Sequence, residues 1–414
     1  MADLSKKSVF ESKTFVSILL MVLLKPPYIG TINALSKAVN LLCIIITIFL
    51  LFYAVIGVHI SKELVWVLVY YGMIALSTII NSGNLIDFLK DNIFSFSLCM
   101  LFIICLEKSA LCLFESFSIT LIYFFINLIT VIIYPKGMYK TTLYRQNWFL
   151  GYKNPQIRLI LAFLCMLFLL SVIKNKKISL FNYIVLGLSI FTAIKVKSIN
   201  GIVGIIGWSL LILFAVFFPR LFKVINVSTV FWGYTLFVTF LVTANVPQLF
   251  FNILLRLNKK NSFLGRYMLW KELISWIKKK ALFGYGYLSG NSFLAYTNRW
   301  WATHAHNWAL NIMMIGGVVL FIIFILGVLF SASGLDKHSG NICSMIISAT
   351  IITFFMMGID ESMTNSPMIY PIFILAMNID RIVELYREEK NMSPLLRFRY
   401  SFTVIPRVFH LVIR

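Results

Sequence analysis

Residues 309–329 read ALNIMMIGGVVLFIIFILGVL, an uncharged apolar run. A helix needs about 20 such residues to cross a hydrocarbon layer, so the stretch reads as a membrane span. Similar runs recur along the 414-residue chain, which is 60% hydrophobic and 13% charged. Soluble domains have about 45–50% apolar and about 25% charged residues. The runs are continuous and do not alternate, which excludes a β-barrel. The expected fold is an all-α polytopic membrane protein: one integral membrane domain over 1–414, with no soluble domain appended.

About twelve spans are expected, at 14–34, 39–58, 64–81, 92–106, 109–134, 157–173, 178–194, 200–218, 224–244, 307–331, 341–359 and 367–383. The N-terminal run resembles a signal-peptide start but lacks a small-residue cleavage site, so it reads as a retained helix, short or broken near Pro26-Pro27. Twelve spans put both termini on one side. With that side cytoplasmic, its segments hold 18 Lys and Arg and the short opposite ones hold 5, as the positive-inside rule requires. The cytoplasmic segments include a basic tail at 384–414. The other 14 fall in two longer extracytoplasmic segments, 135–158 and 245–306. All six cysteines lie in apolar spans without ligand-like spacing and read as small buried hydrophobes.

The net charge of +22 fits attraction to lipid headgroups or to an anionic, phosphate-linked substrate. No nucleic-acid motif accompanies it, so no nucleic-acid partner is expected. The first long segment interleaves Lys136, Lys140, Arg145, Lys153 and Arg158 with aromatic residues, and Asn154-Pro155 marks a turn. It suits an interfacial aromatic belt or a binding loop. In the second, Phe263, Tyr267, Trp270, Ile274 and Ile277 share one helical face. That pattern predicts an amphipathic helix lying on the outer surface. Arg266 on its first turn can grip phosphate with paired donors. Gly284, Gly286 and Gly290 then suggest a flexible loop.

Immediately before the opening run stands WWATHAHNW (300–308), with two of the five histidines. Zinc needs three or four ligands, and only His304 and His306 are at hand, so no metal is expected. If the helix starts near 303–307, residues two apart point about 200° apart, and only one imidazole faces a given site. That ring suits a general base, or a partner that orients a hydroxyl. Asp360 and Glu361, at the end of the eleventh span, either face water or serve the same outer cavity.

The order of these pieces resembles the bacterial O-antigen polymerase and O-antigen ligase superfamily. The matching residues are FLGYKN (149–154), KVKSINGIVG (195–204), GRYMLW (265–270), LFGYGY (282–287), HAHNWALNIMMIGG (304–317) and GIDES (358–362). At Lys197-Ser198 the chain departs from the serine–arginine pair of many relatives. The resemblance implies a C-type glycosyltransferase-like membrane enzyme that uses neither metal nor cofactor, in the bacterial plasma membrane. Its donor would be a glycan on undecaprenyl diphosphate. Its acceptor would be another lipid-linked repeat unit in a polymerase, or a lipid core sugar in a ligase. His306 would be the base and Arg266 would stabilise the diphosphate leaving group. His304, Asn307, Arg145, Asn154, Lys197, Arg299 and Glu361 would bind substrate. A flippase and a chain-length regulator are the implied partners. A transporter is the competing class, but it predicts mid-membrane ionisable residues and inverted repeats, and neither is evident.

Overall fold

A computed structural model describes residues 8–142, 144–243, 260–297, 299, 301–364 and 366–391. Residues 245–259 of the late loop, Trp300 and tail residues 392–414 lie outside them, as does the side chain of Phe263. The described chain is almost wholly helical. In order it has α1 Lys13–Leu23, α2 Asn33–Gly57, α3 Lys62–Ile80, α4 Leu85–Phe117, α5 Leu121–Ile133, α6 Lys153–Asn175, α7 Leu180–Lys195 and α8 Ile199–Phe217. There follow α9 Pro219–Phe222, α10 Val227–Thr243, α11 Lys260–Lys279, α12 Gly290–Thr297, α13 Trp308–Lys337, α14 Ile342–Gly358, α15 Ile369–Met377 and α16 Ile379–Asn391. One two-stranded hairpin, β1 Asn147–Trp148 and β2 Gly151–Tyr152, pairs Asn147 with Tyr152 and Trp148 with Gly151.

Six segments among the described residues are long and apolar enough to cross a membrane: α2, α3, the α4–α5 run Leu85–Ile133, α6, α8 and α13. Helices α1, α7, α10 and α14 are apolar but shorter. The 14–34 run breaks near Pro26-Pro27, as its sequence leads one to expect. Helix α1 stops after 11 residues, about 16 Å of rise, because Pro26 and Pro27 cannot continue its hydrogen-bond ladder. The expected spans 92–106 and 109–134 join through α4, which breaks at Ser109 (φ −160°, ψ 88°).

Helix α6 is buried on nearly every side from Gln156 to Ile173, so it forms the centre of the bundle. Helix α2 buries one stripe (Cys43, Ile46, Leu50, Ala54) and exposes Leu41, Ile45, Ile48, Phe52 and Val55. An apolar exposed face of this length is what a bilayer solvates. Polar contacts gather at the two ends of the bundle. At one end Lys13 and Lys174 pair with Glu115, and Lys337 and His338 pair with Asp380 at 2.9 and 2.6 Å. The candidate site occupies the other end.

Helix α13 is discontinuous. Gly317 breaks it with φ +65° and ψ −160°, a region open to glycine and costly for other residues. Residues 281–286 fill the break. The Val318 N–H donates to the Ala281 carbonyl (2.8 Å), the Tyr285 N–H to Met314 (2.8 Å) and the Gly286 N–H to Ile315 (2.9 Å). Backbone groups freed in an apolar layer must find such partners. A Cβ on Gly284 would lie 2.7 Å from the Gly317 nitrogen. Of the glycines expected in a flexible loop, Gly284 and Gly286 therefore lie in a packed insert, and Gly290 opens α12.

Candidate active site

Four chain segments meet at one end of the bundle, and each arrives by a local rule. The hairpin turns 147–152 back so that α6 opens at Lys153, with Asn154 in its first turn. Ser198 caps α8, its hydroxyl accepting the Gly201 N–H at 3.1 Å. Asn307 caps α13, accepting the Leu310 N–H at 3.0 Å, while its amide donates to the Ile359 carbonyl at 2.9 Å. That second bond fixes the turn after α14, which carries Asp360 and Glu361.

Glu361 is buried at the centre. Asn154 Nδ2 donates to its Oε2 at 2.6 Å, and the Ser198 hydroxyl holds Asn154 Oδ1 at 2.9 Å. His304 Nε2 lies 3.0 Å from Glu361 Oε1, and His306 Nδ1 lies 3.8 Å from the same oxygen. Arg158, buried on α6, donates to the Ser362 carbonyl and approaches Met363 Sδ at 3.7 Å. Burial works against the Glu361 carboxylate. The hydrogen bond from His304 Nε2 and the Arg158 guanidinium override it and hold its pKa well below the usual carboxylate range.

The two histidines depart from the expected geometry. Helix α13 starts only at Trp308, so His304 and His306 precede it, and His306 sits at φ +47°. No helical 200° separation applies. Both rings turn to Glu361, with centroids 4.0 Å apart. The His306 backbone N–H donates to His304 Nδ1 at 3.1 Å. The His304 proton is thereby assigned to Nε2, which faces the carboxylate. Both His306 ring nitrogens are buried without a hydrogen-bond partner. Burial holds its pKa well below 6.5; the Arg266 charge lowers it further, and Glu361 and the Trp301 backbone oppose them only in part. His306 is therefore a neutral imidazole at physiological pH.

Ligand-type atoms of His304, His306 and Glu361 lie within 4.8 Å of one another, so Glu361 supplies the third candidate ligand that the sequence did not place there. Two histidines and a carboxylate are a zinc-type set, but the hydrogen bonds of His304 run against ligation. A ligating histidine offers a lone pair and donates through its other nitrogen. His304 is arranged the opposite way, accepting at Nδ1 and donating from Nε2. Arg158 and Arg266 add positive charge beside the cluster.

Arg266 stands on α11 and pairs with Asp360 at 2.7 Å; Asn200 also bonds Asp360. Burial raises the Asp360 pKa and Arg266 opposes it. The apolar face of α11 is buried as expected at Tyr267, Trp270 and Ile277. It packs on α10 and α13 as part of the protein, so α11 does not simply lie on a surface. Trp270 Nε1 bonds the Ala305 carbonyl at 3.0 Å and so positions the histidine loop. Arg299 instead pairs with Glu272 at 3.3 Å. Arg145 and Lys197 are exposed beside the site, next in sequence to Tyr144 and Ser198. The Tyr144 ring stacks on Tyr152 at 4.0 Å.

Asn307 commits one amide N–H to Ile359 and its oxygen to the cap, so it fixes the loop that carries the histidines. Glu361 likewise has both oxygens engaged. Arg158 and Ser198 escaped the sequence reading as site residues. Arg158 follows the loop cations in sequence but belongs to the second turn of α6. Ser198 carried a usable signal, since a serine before an apolar helix is a preferred cap. Compared with protein-family models and with curated proteins, the chain matches none.

Proposed function

We propose that the protein polymerises lipid-diphosphate-linked oligosaccharide repeat units at the outer face of a bacterial plasma membrane. The carrying observation is His306: a neutral, buried imidazole with both nitrogens free, set beside a fixed carboxylate. A hydroxyl acceptor needs such a base, because it is a poor nucleophile at neutral pH. In the proposed step the acceptor oxygen attacks the anomeric carbon of the donor sugar, and the bond from that carbon to the diphosphate breaks. The hydroxyl proton goes to His306 Nε2 and then to water. The bonding pair leaves with the lipid diphosphate. Nδ1 faces Glu361 Oε1, so the imidazolium forms next to a carboxylate that Asn154 and His304 already hold in place. Arg266 stabilises the growing charge on the diphosphate, which displaces Asp360 as its partner. A preorganised cationic donor of this kind is worth about 10²–10³ in rate.

The reading includes about twelve membrane crossings, cytoplasmic termini and an extracytoplasmic site, with lipid and undecaprenyl-diphosphate-linked glycan as partners. A flippase and a chain-length regulator belong to the same proposal. Transfer of a finished glycan to a different acceptor would use the same geometry, and the assay separates the two. Purified protein is mixed with a lipid-diphosphate-linked repeat unit as both donor and acceptor. A polymerase yields chains of increasing length and free lipid diphosphate, with no added metal and in the presence of chelator. Consumption only when a second, unlike acceptor is supplied indicates a ligase. No bond formation with either sinks the enzyme reading.

A further inference from the structure

Between Glu115 and Glu272 the chain contains no acidic residue but seventeen Lys and Arg. Five of them lie on the segments that lead into the candidate site. Lys136 and Lys140 are exposed on the segment that leads into the hairpin, and Arg145 lies within it. The Tyr139–Asn147 bridge and the hairpin fold this segment back on itself. Lys153 adjoins Asn154, which bonds Glu361, and lies 5.7 Å from the Tyr152 ring centre. Lys197 adjoins Ser198. None of these five cations has an acidic partner among the described residues, whereas Arg266 and Arg299 do.

One diphosphate carries too little charge to account for this set, and Arg266, beside His306, already suits it. Like charges around one opening repel one another, and the positive-inside rule disfavours them on an outer face. A lipid headgroup role would place them around the bundle perimeter. Lys153 and Lys197 instead adjoin Asn154 and Ser198, which are bonded into the centre, and Lys136, Lys140 and Arg145 lie on the segment that folds back into the hairpin before α6. They alternate with Tyr139, Tyr144 and Tyr152, and aromatic faces with an amphipathic edge suit sugar rings. Resting on the polymerase reading, we propose that the glycan taken by this site is itself anionic, bearing carboxylate or phosphate groups along the repeat unit, and that Lys136, Lys140, Arg145, Lys153 and Lys197 form the track that receives it.

The test measures binding without turnover. The full-length protein in neutral-lipid nanodiscs is titrated with labelled oligogalacturonate and with a neutral maltooligosaccharide of equal length. The acidic oligomer binds and the neutral one does not. Raising salt from about 0.1 M to about 1 M shortens the screening length from about 10 to about 3 Å and weakens binding at least roughly tenfold. Lys136→Ala/Lys140→Ala/Lys153→Ala weakens it by a similar factor, and the matching Lys→Arg triple variant restores it, which separates charge from misfolding. Equal binding of both oligomers, binding of neither, or an unchanged Ala triple variant overturns the proposal. So does an Ala variant that loses only its response to phosphatidylglycerol, because the track then serves lipid. An inactive wild type that still binds oligogalacturonate would defeat the polymerase reading alone. An active enzyme indifferent to glycan charge would defeat this inference alone.

Discussion

His306 holds φ at +47°, a conformation that costs a non-glycine residue about 1–3 kcal/mol and persists only where its surroundings enforce it. Three contacts do so: Trp270 on the Ala305 carbonyl, Asn311 on the Ala305 N–H at 3.1 Å, and the Asn307 cap. The backbone strain brings the ring beside Glu361, and burial keeps it neutral. A base whose pKa is lowered stays competent as pH falls through 6.5 and loses activity only below its own depressed pKa. The pH profile of kcat/KM is therefore expected to stay flat through pH 6.5, with its acid limb displaced downward. An acid limb centred at or above 6.5 would contradict a buried neutral base. Ser198 acts at one remove, through Asn154. Ser198→Ala should cost about 1 kcal/mol of stability as a lost cap and lower kcat about tenfold with KM little changed. Steady-state kinetics set beside thermal unfolding separate the two effects.

At the scale of elements, the break in α13 is the main departure from a simple bundle. Gly317→Ala would put a Cβ 2.3 Å from the Leu282 carbonyl oxygen and force φ +65° on alanine. It should destabilise the protein by at least about 2 kcal/mol, read as a drop in Tm or in folded yield from membranes. An unchanged Tm would mean that the inserted segment 281–286 is not packed there. The existence of the helices was legible in the apolar runs, because burial in lipid demands them. Their ends were less so. The break after α1 was announced by Pro26-Pro27, but nothing local announces that α4 continues past residue 106. Within the site, the amphipathic face of α11 and the candidacy of His306 and Glu361 could be read from type and position. The convergence of both histidines could not. It depends on a positive φ and on a carboxylate more than fifty residues away in sequence, and spacing encodes neither.

At the scale of the whole molecule, apolar flanks are exposed between two polar ends, and one end collects the conspicuous sequence pieces around Glu361. Those pieces are hydrogen-bonded to one another, which gives a physical reason for their joint presence in one chain. The proposed orientation is open to direct labelling, because all six native cysteines are buried. A membrane-impermeant maleimide should label Lys140→Cys in intact cells and leave Lys337→Cys unlabelled until the cells are broken. The reverse pattern would put the site on the cytoplasmic side and exclude an outer-face polymerase.

The central claim is that His306 is the base for glycosyl transfer. The most direct measurement is the surface-glycan profile of a strain lacking this protein, complemented with wild type or with His306→Ala at matched protein levels. The wild type is expected to restore a ladder of chain lengths. The variant should leave only single lipid-linked repeat units, a loss consistent with about 10²–10⁴ in rate. A normal ladder from His306→Ala would contradict the account and remove His306 from the chemistry.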